Sequence, residues 1–174
     1  DHKETLMAIN QAMCGSYKQE ITAGIHFWAQ HTRTGSSAIA ADTFYIAMFT
    51  ASRTDANEDL TGYTATNEVS GTNYAGGQAL TSVTLGLSDN SSAVPTAFLD
   101  FADTTWSSST ISNARVAVIY NYTLSTAGTG ATVNHAAKPS VCVLDFGGNK
   151  SSSSGDFTIQ YPANDANNAI IRLA

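Results

Sequence analysis

His26 and His31 stand five positions apart around the aromatic pair Phe27 and Trp28, which makes them the natural place to look for a metal site. On an extended chain that odd spacing sends the two imidazoles to opposite faces. They read instead as partly buried or surface histidines. Asp100 and Asp103 make a carboxylate pair of the kind that does acid–base work. They lie at a strand end before Trp106, however, where short acids cap turns. Asp55-Ala-Asn57-Glu58-Asp59 supplies the first oxygen ligands of a calcium loop. The match then fails, because the sixth position is Leu60 instead of glycine and the twelfth is Thr66 instead of Glu. Gly147-Gly-Asn-Lys-Ser151 ends like a phosphate loop, but Asn149 occupies the place where close backbone approach needs glycine. No GxSxG, HExxH or GxGxxG pattern is present. Cys14 and Cys142 form no CxxC or zinc spacing. Cys142 sits in an apolar run as a small buried hydrophobe, and both thiols are expected to be reduced. The acceptor patterns at Asn90, Asn121 and Asn149 are those that chance produces in a chain rich in Asn, Ser and Thr. The expectation is therefore a protein that is not an enzyme, with no catalytic residue, no cofactor and no metal.

The elements that would position any site are short and β-like. Thr43 to Ala51 is apolar on both faces, as in a strand covered on both sides. Val83, Leu85 and Leu87 alternate with polar residues, as do Ala97, Leu99 and Phe101, and Phe157, Ile159 and Tyr161. Ala114, Val116, Val118 and Tyr120 alternate with Arg115, Ala117 and Ile119. Val141 to Phe146 is apolar on both faces, and Ile171 and Leu173 read as a final strand. Residues 52–78 form a long irregular stretch with a short strand near Glu68. Ser125 to Pro139 is a second long loop. The Ser151-Ser-Ser-Ser-Gly155 tract reads as a hairpin loop. Seven or eight short strands without helical crossovers predict an all-β fold, an antiparallel β-sandwich of jelly-roll or Ig-like type.

The N-terminal part reads differently. Leu6, Ile9 and Met13 fall on one helical face, so residues 1–14 are an amphipathic helix or an arm. Ser16 and Gln19 have the spacing of a capping box, opening a short helix that stops at Gly24. Two units follow: residues 1–15 as arm or helix, and residues 16–174 as a single β-sandwich domain.

Bulk composition narrows the function. At 174 residues the chain buries roughly 70% of its unfolded surface without a disulfide or metal. Charged residues are 13% of the chain, about half the usual ~25%. A surface poor in strongly hydrated charge suits packing against other proteins. The net charge is −6 with 8 Lys and Arg, which disfavours nucleic acid. No apolar run approaches the ~20 residues of a membrane span, and no signal-peptide pattern opens the chain.

Five dispersed segments carry a family resemblance. Asn67-Glu-Val-Ser-Gly-Thr-Asn-Tyr-Ala-Gly-Gly77 is followed by an acidic segment from Asp100 to Trp106 with a Thr-Ile turn at Thr110 and Ile111. Then come Ala114-Arg-Val-Ala-Val-Ile-Tyr120, the strand end Asp145-Phe-Gly147 and Gly155-Asp-Phe-Thr-Ile-Gln160. In that order they resemble small β-rich virion structural proteins of tailed bacteriophages, over residues 16–174. Tyr17, Lys18 and Gly24 look like the family's short opening helix. The chain departs from the pattern in its arm, in an insertion around His31–Ala41 and in its Ser125–Pro139 loop.

The resemblance implies a capsid decoration (cement) protein on the outer surface of the virion head, assembled in the host cytoplasm. Its partners would be the major capsid protein and further copies of itself, as a homotrimer. The interface candidates are Leu6, Ile9, Met13, Phe27 and Trp28. On that reading, deleting residues 1–14 abolishes capsid binding and leaves the β-domain folded. The alternative is a tail or adsorption component whose loop surface, with Tyr63, Tyr74 and Tyr122, binds glycan or protein.

Overall fold

The computed structural model describes residues 9–32, 34–88, 95–130 and 132–174. They form two antiparallel sheets. Strands β1 (Ala12–Met13), β8 (Ser140–Ile159), β7 (Thr104–Asn121), β2 (Phe44–Phe49) and β4 (Gln78–Ala79) lie in that order, with β3 (Gly71–Thr72) also on β7, in a six-stranded sheet. Strands β5 (Thr84–Leu87), β6 (Ala97–Asp100) and β9 (Ile171–Leu173) make the second, three-stranded sheet. The antiparallel β-sandwich expected from the alternation is the fold observed.

The core follows from β2. Residues directly opposite in an antiparallel pair share a face, so Phe44, Ile46 and Met48 lie beside Asn121, Ile119 and Ala117, while Tyr45, Ala47 and Phe49 lie beside Tyr120, Val118 and Val116. Both sets are largely buried. The first face meets Trp28, whose ring stacks on Phe44 with centroids 3.3 Å apart. Beyond Trp28, across a small crevice, lie Leu85, Leu99 and Ile171 of the small sheet. Trp28 therefore bridges the two layers.

The single helix among the described residues, α1 (Gly15–Thr22), packs Tyr17 and Glu20 inward. It ends as expected at Gly24, where φ is +70°. Ile25 N–H donates to Glu20 O and Gly24 N–H to Ile21 O, a Schellman pair that satisfies the last carbonyls. Its start differs from expectation. The N-cap is Cys14 with no side-chain cap bond, and Ser16 Oγ is buried without a partner, so no capping box forms. Residues 9–14 are not helical. Met13 and Ala12 pair with Cys142 and Val143, and Cys14 N–H donates to Val141 O. Strand pairing with the exposed edge of β8 satisfies those backbone groups without a helix. Leu6 lies outside the described residues.

The hairpin of β7 and β8 is the second departure. Ser151–Gly155 is not a turn: Ile111 pairs with Ser152 and Ser109 with Gly155 inside continuous strands. Hydroxyls cross the pair, Ser109 to Ser152 at 2.8 Å and Thr105 to Thr158 at 2.9 Å. Serine thus supplies the cross-strand contacts that apolar residues supply elsewhere. Register shifts accompany left-handed residues at Ser108, Asn113 and Ser154 and at Gly147. Such bulges bend and twist the ribbon.

Candidate functional site

Of the sequence-predicted interface residues, Leu6 lies outside the described residues, and the other four do not form an open surface. Ile9, Met13 and Trp28 are partly buried and pack against the core. Trp28 Nε1–H donates to the Tyr17 hydroxyl at 2.8 Å. Phe27 is half-buried, its ring 4.8 Å from the His31 ring and its backbone N–H bonded to Asp42 Oδ2. Because β1 closes the edge of β8, a deletion through residue 14 would unpair that edge.

His26 and His31 do not converge. His26 is buried, with Nε2 2.7 Å from Glu20 Oε2 and Nδ1 3.1 Å from Asn121 Nδ2. The Asn121 amide is oriented by its other bonds: Oδ1 accepts from Thr123 N–H, and Nδ2 donates to Asp42 Oδ2. Nδ1 of His26 must therefore accept, which leaves the proton on Nε2 to donate to Glu20. This network ties α1, the 26–42 segment and the end of β7 together inside the protein. It lies too deep for substrate, and Asn121, fully buried, is no glycan acceptor.

The other chemical candidates are structural as well. Asn57 Oδ1 caps Asp59 N–H, so that stretch is a turn. Gly147–Ser151 is strand, not loop. Asp100 is buried and its Oδ1 accepts from Phe101 N–H, with Oδ2 unpartnered. Burial first, then the charges of Asp103 and Asp165, raises its carboxyl above the usual range. Cys14 and Cys142 are free and buried. Burial, with Glu20 adding, pushes the Cys14 thiol up to about 12, and burial pushes Cys142 higher still.

The tyrosines form a cluster on the opposite face. Tyr45 and Tyr120 lie side by side on β2 and β7. Tyr122 stacks on the first at 4.1 Å and Tyr63 on the second at 4.2 Å. Lys138 Nζ lies 5.1 Å from the centroids of both Tyr63 and Tyr122. Tyr74 is buried and donates to Glu68, as does Tyr63, so these hydroxyls are internal. Burial, chiefly, raises the Tyr63 and Tyr74 hydroxyls above the ordinary phenol range. Of the three candidate tyrosines, Tyr63 and Tyr74 have their hydroxyls engaged inside the protein, whereas Tyr122 is 43% exposed.

A further exposed apolar surface lies on the small sheet. Leu85, Leu87 and Leu173 are 54%, 61% and 44% exposed. Leu85 pairs with Leu99, and Leu87 with Ala97, which pairs with Leu173. All therefore share one face of the small sheet, continuous with the crevice of about 120 Å³ under Trp28 and Tyr17. Gly86 has no room for a side chain, because the Phe98 ring lies against it. No Lys, Glu, Pro or bulge guards β5, the devices by which edge strands usually avoid pairing. Sequence reasoning assigned Leu85 and Leu87 to a strand but could not tell that their shared face stays bare. No family model, curated protein or solved structure matches this chain.

Proposed function

We propose that this protein is a capsid decoration (cement) protein of a tailed bacteriophage, seated on the outer surface of the head across junctions between major capsid protein subunits. The observation that carries this reading is the bare leucine face of the small sheet. Exposed contiguous apolar surface on a folded domain marks a contact with another macromolecule. The chain's low charge content and the ordered segments that resemble virion proteins support the same conclusion.

A protein that binds only the assembled shell stabilises it by mass action. Many symmetry-related copies make modest contacts sufficient. The expected assembly is a homotrimer on local three-fold axes, where three equivalent capsid edges meet. The leucine face would supply the buried centre of each contact and the surrounding Ser and Thr its polar rim.

The test mixes purified protein with separated heads and tails stripped of it and locates bound density by cryo-electron microscopy. Regular density on the head lattice, lost in the Leu85→Ser, Leu87→Ser double variant, is the expected result. Density on tails alone would replace this reading with an adsorption role.

A further inference from the structure

Asp100 ends β6 in surroundings that suit a carboxylate poorly. The residue is 2% exposed. Oδ1 accepts from the adjacent Phe101 N–H at 2.9 Å, and Oδ2 is buried with no partner. A carboxyl enclosed and half-satisfied in this way is held more cheaply as the neutral acid.

The groups around it act mostly in the same direction. Burial raises the carboxyl most, the Phe101 N–H bond opposes it, and the like charges of Asp103 and then Asp165 add to the rise. Each neighbouring element contributes to this set. β5 supplies Thr84, which pairs with Asp100 and carries no charge. The chain beyond β6 supplies Asp103, whose Oδ1 accepts from Tyr161 N–H. The segment before β9 supplies Tyr161 and Asp165. Burial raises the Tyr161 hydroxyl first, with Asp100 and Asp103 among the lesser causes. Arg172 of β9 bears on Asp165, and its guanidinium donates to Asn167 O.

The acid sits where the small sheet joins the rest of the domain. Phe101, whose N–H it holds, has its ring 5.6 Å from Trp28 and 5.5 Å from Tyr161. The strands of the small sheet contact one another far more than any strand of the larger sheet. Leu99 and Ile171 are buried at the join, whereas Leu85, Leu87 and Leu173 stand open. An element with so little of its apolar face covered belongs to the low-stability end of a fold, where parts open without global unfolding.

We propose that proton uptake by Asp100 clasps the small sheet onto the domain. In the undocked sheet the acid meets water and keeps its ordinary value of 3.8; in the docked sheet it binds the proton more tightly. The proton's contribution to docking is therefore fully present below 3.8 and is lost as pH rises through the higher docked value. At neutral pH the ionised carboxylate lets the seam open more often, and the leucine face moves with the sheet that carries it. The inference concerns the free protein and does not depend on the capsid reading.

The test is amide hydrogen exchange on the full chain from neutral to mildly acidic pH, with each rate corrected for its intrinsic pH dependence. Protection of residues 84–87, 97–100 and 171–173 should rise several-fold on acidification, while that of residues 44–49 and 116–120 should not. In Asp100→Asn, protection of the small sheet should be high at neutral pH and no longer respond to acid. Asp103 is exposed, and Asp103→Asn should raise small-sheet protection at neutral pH by a smaller factor. A flat profile in the parent protein would overturn the proposal without any variant. So would an equal rise in both sheets, or an unchanged response in Asp100→Asn.

Discussion

In the six-stranded sheet, Ile46, Met48, Val116, Val118 and Ile119 are fully buried, whereas in the three-stranded sheet Leu85, Leu87 and Leu173 stand about half or more in the open. Both sets are aliphatic and both alternate along antiparallel strands. They differ in what lies over them. β2 is covered on one face by Trp28, Tyr17 and the small sheet and on the other by the 52–78 segment with Tyr63. The small sheet covers one corner of its apolar face, at Leu99 and Ile171, and extends beyond the layer it packs on. The lesson is that burial is a property of the layer above a residue, so the same pattern serves as core in one sheet and as contact surface in the other.

The most severe way to break the contrast is to remove the bridge between the layers. Trp28→Ala should cost about 3 kcal/mol in urea unfolding, the lower end of the range for a buried aromatic, because the ring is only partly buried. A loss under ~1 kcal/mol would mean the two sheets are not joined through this ring. His26→Ala should cost somewhat less, about 2–3 kcal/mol, by leaving Glu20 buried without its donor. Equal unfolding midpoints for it and the parent protein would show the network to be dispensable.

Asp100 sharpens the comparison through pH, since it sits at the seam between β6 and the larger sheet. Its carboxyl binds a proton more tightly in the folded state than in the unfolded chain. That contribution is fully present below the unfolded value of 3.8 and lost as pH rises through the higher folded one. Asp100→Asn should therefore be more stable than the parent at neutral pH, with the gap closing on acidification. A gap independent of pH in a series of denaturation curves would refute the assignment.

The smallest stability effect belongs to the leucine face. Leu85→Ser with Leu87→Ser should shift folding stability by no more than about 0.5 kcal/mol per site, as surface substitutions do, and yet abolish head binding. A large loss of stability would show the face to be core after all.

Much of this was legible from residue order. The strands at 84–87, 97–100 and 171–173 follow their alternation, that at 44–49 follows its apolar run, and Gly24 ended α1 where its left-handed geometry was expected. The serine tract at 151–155 misled, because composition reports turn preference and not the cross-strand hydroxyls of Ser109 and Thr105 that hold it in a ladder. The spacing of Leu6, Ile9 and Met13 left helix and arm equally open, and at residues 12 and 13 the edge of β8 supplies the backbone partners of a strand; Leu6 lies outside the described residues.

The candidate surfaces divide the same way. Local periodicity fixes which residues share a face, and so the amino-acid order determined the sandwich, its strands and the weakness of every catalytic pattern. It carries no information about which face another layer will cover. Packing alone turned Trp28 inward, brought Lys138 beside Tyr63 and Tyr122, left Leu85 and Leu87 bare and curled β8 until Phe146 met Phe157. Each of those outcomes depends on residues distant in sequence, and only the folded chain brings them together.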